Sequence, residues 1–400
     1  MNPAEGTIVL KPGREKSVKR DHPWIFSGAV ASKRGLLRVG SVVDVLHTEG
    51  SWLGRGLYHP EDDMAVRLYT RDESESLNVD LFRSRLDRAI ALRRDCGLGQ
   101  NPATTGYRVC FSEADGLSGL IVDRFGDLLV VQVSTMVLAS WIPAILDHLK
   151  AALCCGQVHV MPADAKRMGD DAATGALSNL SASTGEPVEF HEHGLRFEVD
   201  PANGQKTGFY LDQRCNRRRV AKYAEGRKVL SVYSYTGAFE VAAAKAGADH
   251  VIGVDSSEPA LAQAARHADL NEVADQIEFR KGDAPKVLRS LRDSAQTFDM
   301  VILDPPRFVA NRHQMEKGLR AYKDINLLAC KLLKPGGLLA TFSCSGHVQA
   351  EQFQQALGWA GADAEKSIRV LETLGQPADH PYDLRIPETR YLKGLICTVG

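Results

Sequence analysis

Apolar residues recur along this chain in three rhythms, and each rhythm predicts different elements. From Thr7 to about residue 75, short apolar runs alternate with breakers: TIVL, WIFSGAV, SVVDVLH, WLGRGLY and AVRLYT are separated by Gly, Pro or charge. Such runs are strands, and together they predict a small β-barrel. From Asn78 the spacing becomes helical, with Leu81, Leu86, Ile90 and Leu92 set among arginines and a stop near Gly97 and Gly99. A boundary near residue 76 follows. Beyond it, SGLIVDRF and DLLVVQVS turn at Gly126-Asp127, an apolar helix runs from about Met136 to Leu153, and VHVM follows. These predict a compact α+β module. Residues 162–187, rich in Ala, Gly, Ser and Asp, read as a loop or insertion, and VEFHEHGLRFEVD as a hairpin turning at His193-Gly194.

From Lys228 strand and helix alternate: KVLSVYSY, FEVAAAKAGA, HVIGVD, PALAQAARHADLN, IEFRKGD and FDMVILD, then a helix over about 316–333 and the strand LLATFSCS. That alternation predicts a parallel sheet with helices on both faces. At the end SIRVLETL and LKGLICTV have no full helix between them, which predicts a closing antiparallel pair. The chain therefore divides into three expected domains, 1–76, 77–190 and 191–400.

Composition narrows the class. With 44% hydrophobic and 25% charged residues the chain is that of a soluble globular protein, and no apolar run approaches the roughly 18 residues that span a bilayer. MNPAEGTIVL does not read as a signal peptide, so no membrane partner and a cytoplasmic location are expected. The eight cysteines are scattered without C-x-x-C pairs, so no metal site is expected. Net charge is −1, but Lys11, Arg14, Lys16, Lys19, Arg20, Lys33, Arg34 and Arg38 face only Glu15 and Asp21 near the start, with Trp24 and Phe26 interleaved. Such a patch suits a phosphate backbone or, equally, a solvated face.

In a doubly wound sheet, ligands bind beyond the carboxyl ends of the strands. The first strand here ends in Ser231-Val232-Tyr233-Ser234-Tyr235-Thr236-Gly237, where Gly237 lets backbone approach a ligand and starts a helix. The second ends in Asp255, an acceptor for two ribose hydroxyls, and the third in Gly282-Asp283, an acceptor for an adenine amine. A nicotinamide dinucleotide needs G-x-G-x-x-G to seat its pyrophosphate, and this turn has one glycine. S-adenosylmethionine, which has no pyrophosphate, suits it better.

The fourth strand ends in Asp304-Pro305-Pro306-Arg307-Phe308, a stiff turn that holds an acid and an aromatic over the cofactor, and at this sheet position a sign of methyl transfer to a nucleobase or amide. The fifth ends in T-F-S-C-S-G, which puts Cys344 at the same rim. Methylating an exocyclic nitrogen needs no protein nucleophile. Carbon 5 of a pyrimidine does, because a thiolate adding at C6 makes C5 nucleophilic, so Cys344 points to carbon methylation.

With these motifs in hand, the C-terminal part resembles the class I methyltransferases, a Rossmann-like α/β fold. The whole chain resembles bacterial large-subunit (23S) ribosomal RNA cytosine-C5 methyltransferases that carry an N-terminal PUA domain. The matching stretches are G-Q-K-T-G-F-Y-L-D-Q-R (204–214), Y-S-Y-T-G (233–237), D-P-P-R-F (304–308), Y-K-D-I-N (322–326), T-F-S-C-S-G (341–346), A-D-H-P (378–381) and Y-L-K-G (391–394). The resemblance implies S-adenosyl-L-methionine as cofactor and ribosomal RNA as partner. Cofactor contacts would come from Phe209, Leu211, Asp212, Gln213, Arg214, Tyr233, Ser234, Tyr235, Thr236, Gly237, Asp255, Asp283 and Asp304. Cys344 would be the nucleophile and Asp304 its acidic partner. Lys11, Arg14, Lys16, Lys19, Arg20 and Trp24 of the PUA-like barrel would hold RNA, and a homodimer stays open.

The mechanism expected is attack of Cys344 on C6 of an extruded cytosine, a hydrogen bond or proton from Asp304 to N3, methyl transfer to C5, and removal of the C5 proton. Asp379 and His380 are candidates for that last base, with an N-cap or surface turn as the plainer role. A helix N-terminus after Gly346 would favour the thiolate. The alternatives are a uracil-C5 methyltransferase, a nitrogen-directed RNA methyltransferase that would not need Cys344, and a noncatalytic RNA-binding factor with a relict pocket.

Overall fold

The computed structural model describes residues 4–162, 171–201 and 207–400. Residues 163–170 of the expected loop, and Gly204, Gln205 and Lys206 of the motif that opens at 204, lie outside the described residues. The chain forms two compact units: Met1–Phe190 with Val199–Phe209 and Ala378–Thr389, and His191–Glu198 with Tyr210–Pro377 and Arg390–Gly400.

In the first unit, β1 (Gly6–Leu10), β2 (Trp24–Ile25), β3 (Val30–Arg34), β4 (Val42–Leu46), β5 (Trp52–Tyr58) and β6 (Val66–Thr70) form a six-stranded sheet in the order β2-β6-β5-β4-β1-β3. Ile8, Leu10, Ile25, Val43, Val45 and Leu68, with Val18 from the short helix α1 (Lys16–Lys19), make its core. The run WIFSGAV is not one strand. Ser27–Ala29 makes a 3-10 turn, because small residues in sequence give an extended edge nothing to bury, and Phe26 is left exposed.

Val42, Leu57 and Tyr69 of the same sheet belong to a second, larger core with Leu81, Phe82, Leu86 and Ile90 of α2 (Val79–Asp95). Asn78 caps that helix by accepting from the amides of Asp80 and Leu81, but Leu92 faces solvent. The same core includes β7 (Gly106–Phe111), β8 (Leu120–Phe125), β9 (Leu128–Val133) and β10 (Gln157–Pro162), ordered β10-β9-β8-β7. β7 is hidden in the sequence by Arg108, whose guanidinium makes two 2.8 Å bonds to Asp123 of β8.

The stretch expected as one helix from Met136 begins as a 3-10 segment, Met136–Trp141, and becomes α3 (Ile142–Leu153) where Pro143 fits the first turn. Contrary to the sequence expectation, these 18 residues are long and apolar enough by composition to cross a membrane. Ile142, Ile145 and Leu149 are fully buried in the first unit's core. The expected loop also carries structure: α4 spans Asp171–Ser178, Leu177 is buried, and Ala182 bridges to Val158.

One cation anchors this unit. Arg93, 1% exposed, donates to both oxygens of Asp115 at 2.7 and 2.8 Å, and to the carbonyls of Arg108 and Asp379 at 3.0 and 2.8 Å. Asp379 in turn accepts the Arg108 amide at 2.9 Å.

The hairpin β11 (Val188–Glu192) and β12 (Leu195–Val199) turns at His193-Gly194, both with positive φ, the signature of a tight two-residue turn. In the second unit, β13 (Lys228–Val232), β14 (His250–Asp255), β15 (Ile277–Lys281), β16 (Phe298–Leu303) and β17 (Leu333–Ser343) are parallel. β18 (Ile368–Leu374) and β19 (Lys393–Val399) close the sheet antiparallel, giving the order β15-β14-β13-β16-β17-β19-β18. Its helices are α5 (Arg214–Ala221), α6 (Ala238–Lys245), α7 (Glu258–Leu270), α8 (Ala284–Asp293), α9 (Met315–Leu332) and α10 (Ala350–Asp363). The strand order reverses at β13, where a doubly wound sheet opens its crevice.

Arg93→Ala removes one partner of a buried, fully bonded pair and leaves Asp115 without its counter-charge, which costs about 3–5 kcal/mol. Three of the four tryptophans lie in the first unit, so the loss will be read as a lower denaturant midpoint by tryptophan fluorescence. An unchanged midpoint would show that Arg93 anchors nothing.

Candidate active site

The turn after β13 is strained. Tyr233 and Tyr235 hold left-handed backbone (φ 69° and 48°), a conformation that costs a non-glycine residue of order 1–3 kcal/mol. The strain is held by bonds on both sides: the amides of Tyr233 and Ser234 both donate to Val254 O, and that of Tyr235 to Asp255 Oδ2 at 2.8 Å. Gly237, also left-handed, starts α6, and a Cβ there would stand 2.7 Å from the Ala264 Cβ of α7. Its glycine is required by the packing of α7 as well as by the turn. Thr236 is buried, with its carbonyl 2.8 Å from the His267 ring.

Asp255 Oδ1 accepts the Ser257 amide at 2.8 Å, while Ser257 itself caps α7. Each oxygen of Asp255 thus uses one lone pair on backbone and keeps another, so a pair of hydroxyls can still be received. Asp283 caps α8 through the Lys286 amide. Both acids line a cleft of about 320 Å³ together with Tyr233, Ser256, Pro285, Arg289, Phe308 and Asp324, and with Val254, Ile325 and Leu328 as apolar wall. A flat apolar slot edged by carboxylates fits the adenosine of S-adenosylmethionine. Arg289 and Asp324 lie within helices rather than at strand ends, and so carry no positional signal in the sequence.

Along the same edge β16 and β17 pair with Leu303 opposite Thr341, so Asp304 and Cys344 follow neighbouring strands. Cys344 Sγ lies 3.9 Å from the Pro305 carbonyl. The flanking serines hold it there: Tyr322 Oη is 2.9 Å from both Ser343 Oγ and Ser345 Oγ, and Ser345 Oγ accepts the Val309 amide at 3.2 Å. Burial raises the thiols of Cys110, Cys330 and Cys397, the last two to about 11 and about 12, which leaves them protonated. Cys344 is half-buried. The helix expected to help it begins at Ala350, where Gln349 and Gln352 close a capping box over its end.

Asp304 is oriented by a relay. Gln213 Nε2 donates to its Oδ1 at 2.9 Å, and Gln213 Oε1 accepts from Asn216 at 2.6 Å. Both polar ends of Gln213 are thus engaged by protein groups. Tyr391 donates to Asp212 at 2.5 Å, Leu211 and Arg214 are buried, and Arg217 bonds Glu192 twice and the Tyr210 carbonyl once. Tyr210 packs edge-on to Tyr235 at 5.1 Å, and burial, with Tyr235, Asp212, Asp304 and Cys344 adding to it, pushes its phenol well up, so it stays a neutral donor.

Other predicted residues fall in the first unit. Phe209 is buried edge-on against Phe190 at 5.0 Å. Asp379 and His380 are both fully buried, neither at a helix cap nor on a surface turn, with Asp379 bonded by Arg108 and His380 against Phe111. Lys11, Arg14, Lys16, Lys19 and Arg20 are all exposed around α1. Arg14, Trp24 and Phe26 line a hollow of about 230 Å³, and Trp24 donates to Glu113 at 3.0 Å. Among the described residues no cluster of His, Cys, Asp or Glu could hold a metal.

A family model for S-adenosylmethionine-dependent methyltransferases matches residues 151–386, and one for a PUA-like domain matches 8–71. The chain is 40% identical over 98% of its length to "Ribosomal RNA large subunit methyltransferase I" of Shewanella frigidimarina and of Shigella boydii, in each case covering 99% of the relative. In fold it is similar to a methyltransferase solved with S-adenosylhomocysteine (TM-score 0.83, 20% identity) and to an S-adenosylmethionine-dependent methyltransferase from Streptococcus mutans (0.81, 21%), each over 98% of this chain and 99% of the other. By these matches the chain belongs to the S-adenosylmethionine-dependent methyltransferases, in the group that joins this domain to a PUA-like one.

Proposed function

We propose that this protein methylates C5 of a cytosine in 23S ribosomal RNA through a covalent cysteine–C6 adduct. The ribosomal substrate is carried over from the relatives' names, at 40% identity across nearly the whole chain. The covalent chemistry is supported by one observation above others: Cys344 is held by its neighbouring serines at the end of β17, against the Asp304-Pro305 turn. A cysteine with no part in the reaction needs no such scaffold. The cytoplasm, where ribosomal RNA is made, is the compartment this reading requires.

S-adenosylmethionine bound in the cleft supplies an electrophilic methyl group. Cys344 as thiolate forms the S–C6 bond, and the electron pair displaced in the ring moves toward N3, where Asp304, fixed by Gln213, donates a proton or hydrogen bond. C5 then carries the density that takes the methyl. Loss of the C5 proton to a base re-forms the C5=C6 double bond as the S–C6 bond breaks and the thiolate departs, and N3 returns to Asp304 the proton it received. Tyr210 and Tyr235 offer aromatic edges beside this centre on which an unstacked base can rest. Lys11, Arg14, Lys16, Lys19, Arg20 and Trp24, exposed or half-buried on the PUA-like sheet, supply the cationic and aromatic contacts that a single strand requires.

Cys344→Ala is expected to abolish methylation of 23S RNA, read by mass spectrometry of nuclease digests, while S-adenosylmethionine affinity stays within about twofold. Methylation that survives the substitution refutes the covalent route, and 5-methyluracil in the digest refutes cytosine as the base. Replacing Lys16, Lys19 and Arg20 together by alanine should weaken RNA binding with kcat kept, and flatten the slope of log affinity against log salt by about 0.7 for each phosphate no longer neutralised. An unaltered slope would remove this face from the RNA path.

A further inference from the structure

Lys393 is the first residue of β19, and the antiparallel register sets it directly opposite Ser343, the residue before Cys344. Its neighbours fix it in place. Leu392 is buried, and Gly394 lies so close under the Phe342 ring that a Cβ would stand 2.4 Å from it. From that position Nζ donates to the carbonyls of Ser345 and Val348, both at 2.7 Å. These carbonyls belong to the segment that leaves the cysteine, so one ammonium gathers the turn on which Cys344 sits. Among the described residues no carboxylate is bonded to Nζ, and two carbonyl oxygens leave its charge uncancelled.

We infer that Lys393 is a positioning residue for the nucleophile, which holds the Cys344 turn closed and supplies the positive charge that stabilises its thiolate. The inference rests on the reading of Cys344 as nucleophile and goes beyond it by naming what makes the thiol reactive. Other charged and titratable groups surround the pair, among them Asp304, which follows the neighbouring strand β16. Arg390 adds positive charge beside Lys393, while Tyr210 and Tyr322 face Cys344 with phenols that burial keeps neutral. Burial brings Lys393 down to about 8 against the pull of the Cys344 thiolate, so the ammonium is present below that pH and lost above it. Attraction is mutual: a thiolate that favours the charged lysine is favoured by it to the same extent.

The test is the rate at which iodoacetamide alkylates Cys344, followed by mass spectrometry of its peptide from pH 5.5 to 9.5 in the full-length protein. In the wild type the midpoint is expected below the roughly 8.5 of a free thiol. In Lys393→Met it should rise by about one unit, with a roughly tenfold slower reaction at pH 7, and in Lys393→Arg, which keeps a fixed positive charge, it should return to the wild-type range. Binding of S-adenosylmethionine reports that each variant is folded. A wild-type midpoint at or above 8.5, an unshifted Lys393→Met, or an arginine variant as slow as the methionine one would each overturn the inference. The wild-type measurement decides even if Lys393→Met does not fold. Failure of the underlying reading looks different, because Cys344→Ala would then still methylate RNA whatever Lys393 does to the thiol.

Discussion

Parallel strands bonded in register must all end at the same edge, and in the second unit that constraint decides where chemistry can happen. Val232, Asp255, Leu303 and Ser343 finish four neighbouring strands. Their backbone groups are used up inside the sheet, and helices cover its faces, so polar side chains find room only where the strands stop. The strained tyrosines after β13 and the cysteine between two anchored serines after β17 are two consequences of that edge. In the first the backbone is bent, and Val254 and Asp255 hold the bend by accepting three amides. In the second the backbone is ordinary and the side chains do the holding.

The cysteines of this chain sit in two kinds of surroundings. Cys110, Cys330 and Cys397 sit in apolar cores, where desolvation disfavours a thiolate. Cys344 lies at the half-buried rim, where the serines on either side of it bond Tyr322 and Lys393 ties down the turn that follows. The residue type is the same, and the surroundings set what it can do.

Much of this was legible in the sequence because strand ends announce themselves: an apolar run followed by Asp, or by Asp-Pro-Pro, places an acid at the edge with no knowledge of the rest. The closing antiparallel pair was legible for a similar reason, since no helix separates its strands. Other features were not. β7 is not announced in the sequence because Arg108 interrupts it, and its charge is met by Asp123, fifteen residues on. Arg93 looks like any other arginine of α2, and only its partners at Asp115 and Asp379 show that it is buried. Lys393 breaks the apolar pattern of its strand, and its acceptors are carbonyls 45 and 48 residues earlier, invisible to any local pattern. Local signals locate ends of elements, whereas partners distant in sequence decide which polar residues are swallowed.

The bonds of Arg93 and Arg108 to Asp379 also bear on the order in which this molecule can be made. The first unit opens with the N-terminal sheet, yet it takes in Ala378–Thr389, which are translated after every strand of the second unit's sheet but β19. Until then Arg93 keeps one of its carbonyl acceptors waiting, and the Arg108 amide has no carboxylate. Domains commonly complete themselves one after another as they emerge, with the amino-terminal one first. Here the first unit's sheets cannot be finished before six of the second sheet's seven strands are translated, so the two units complete themselves together rather than in turn.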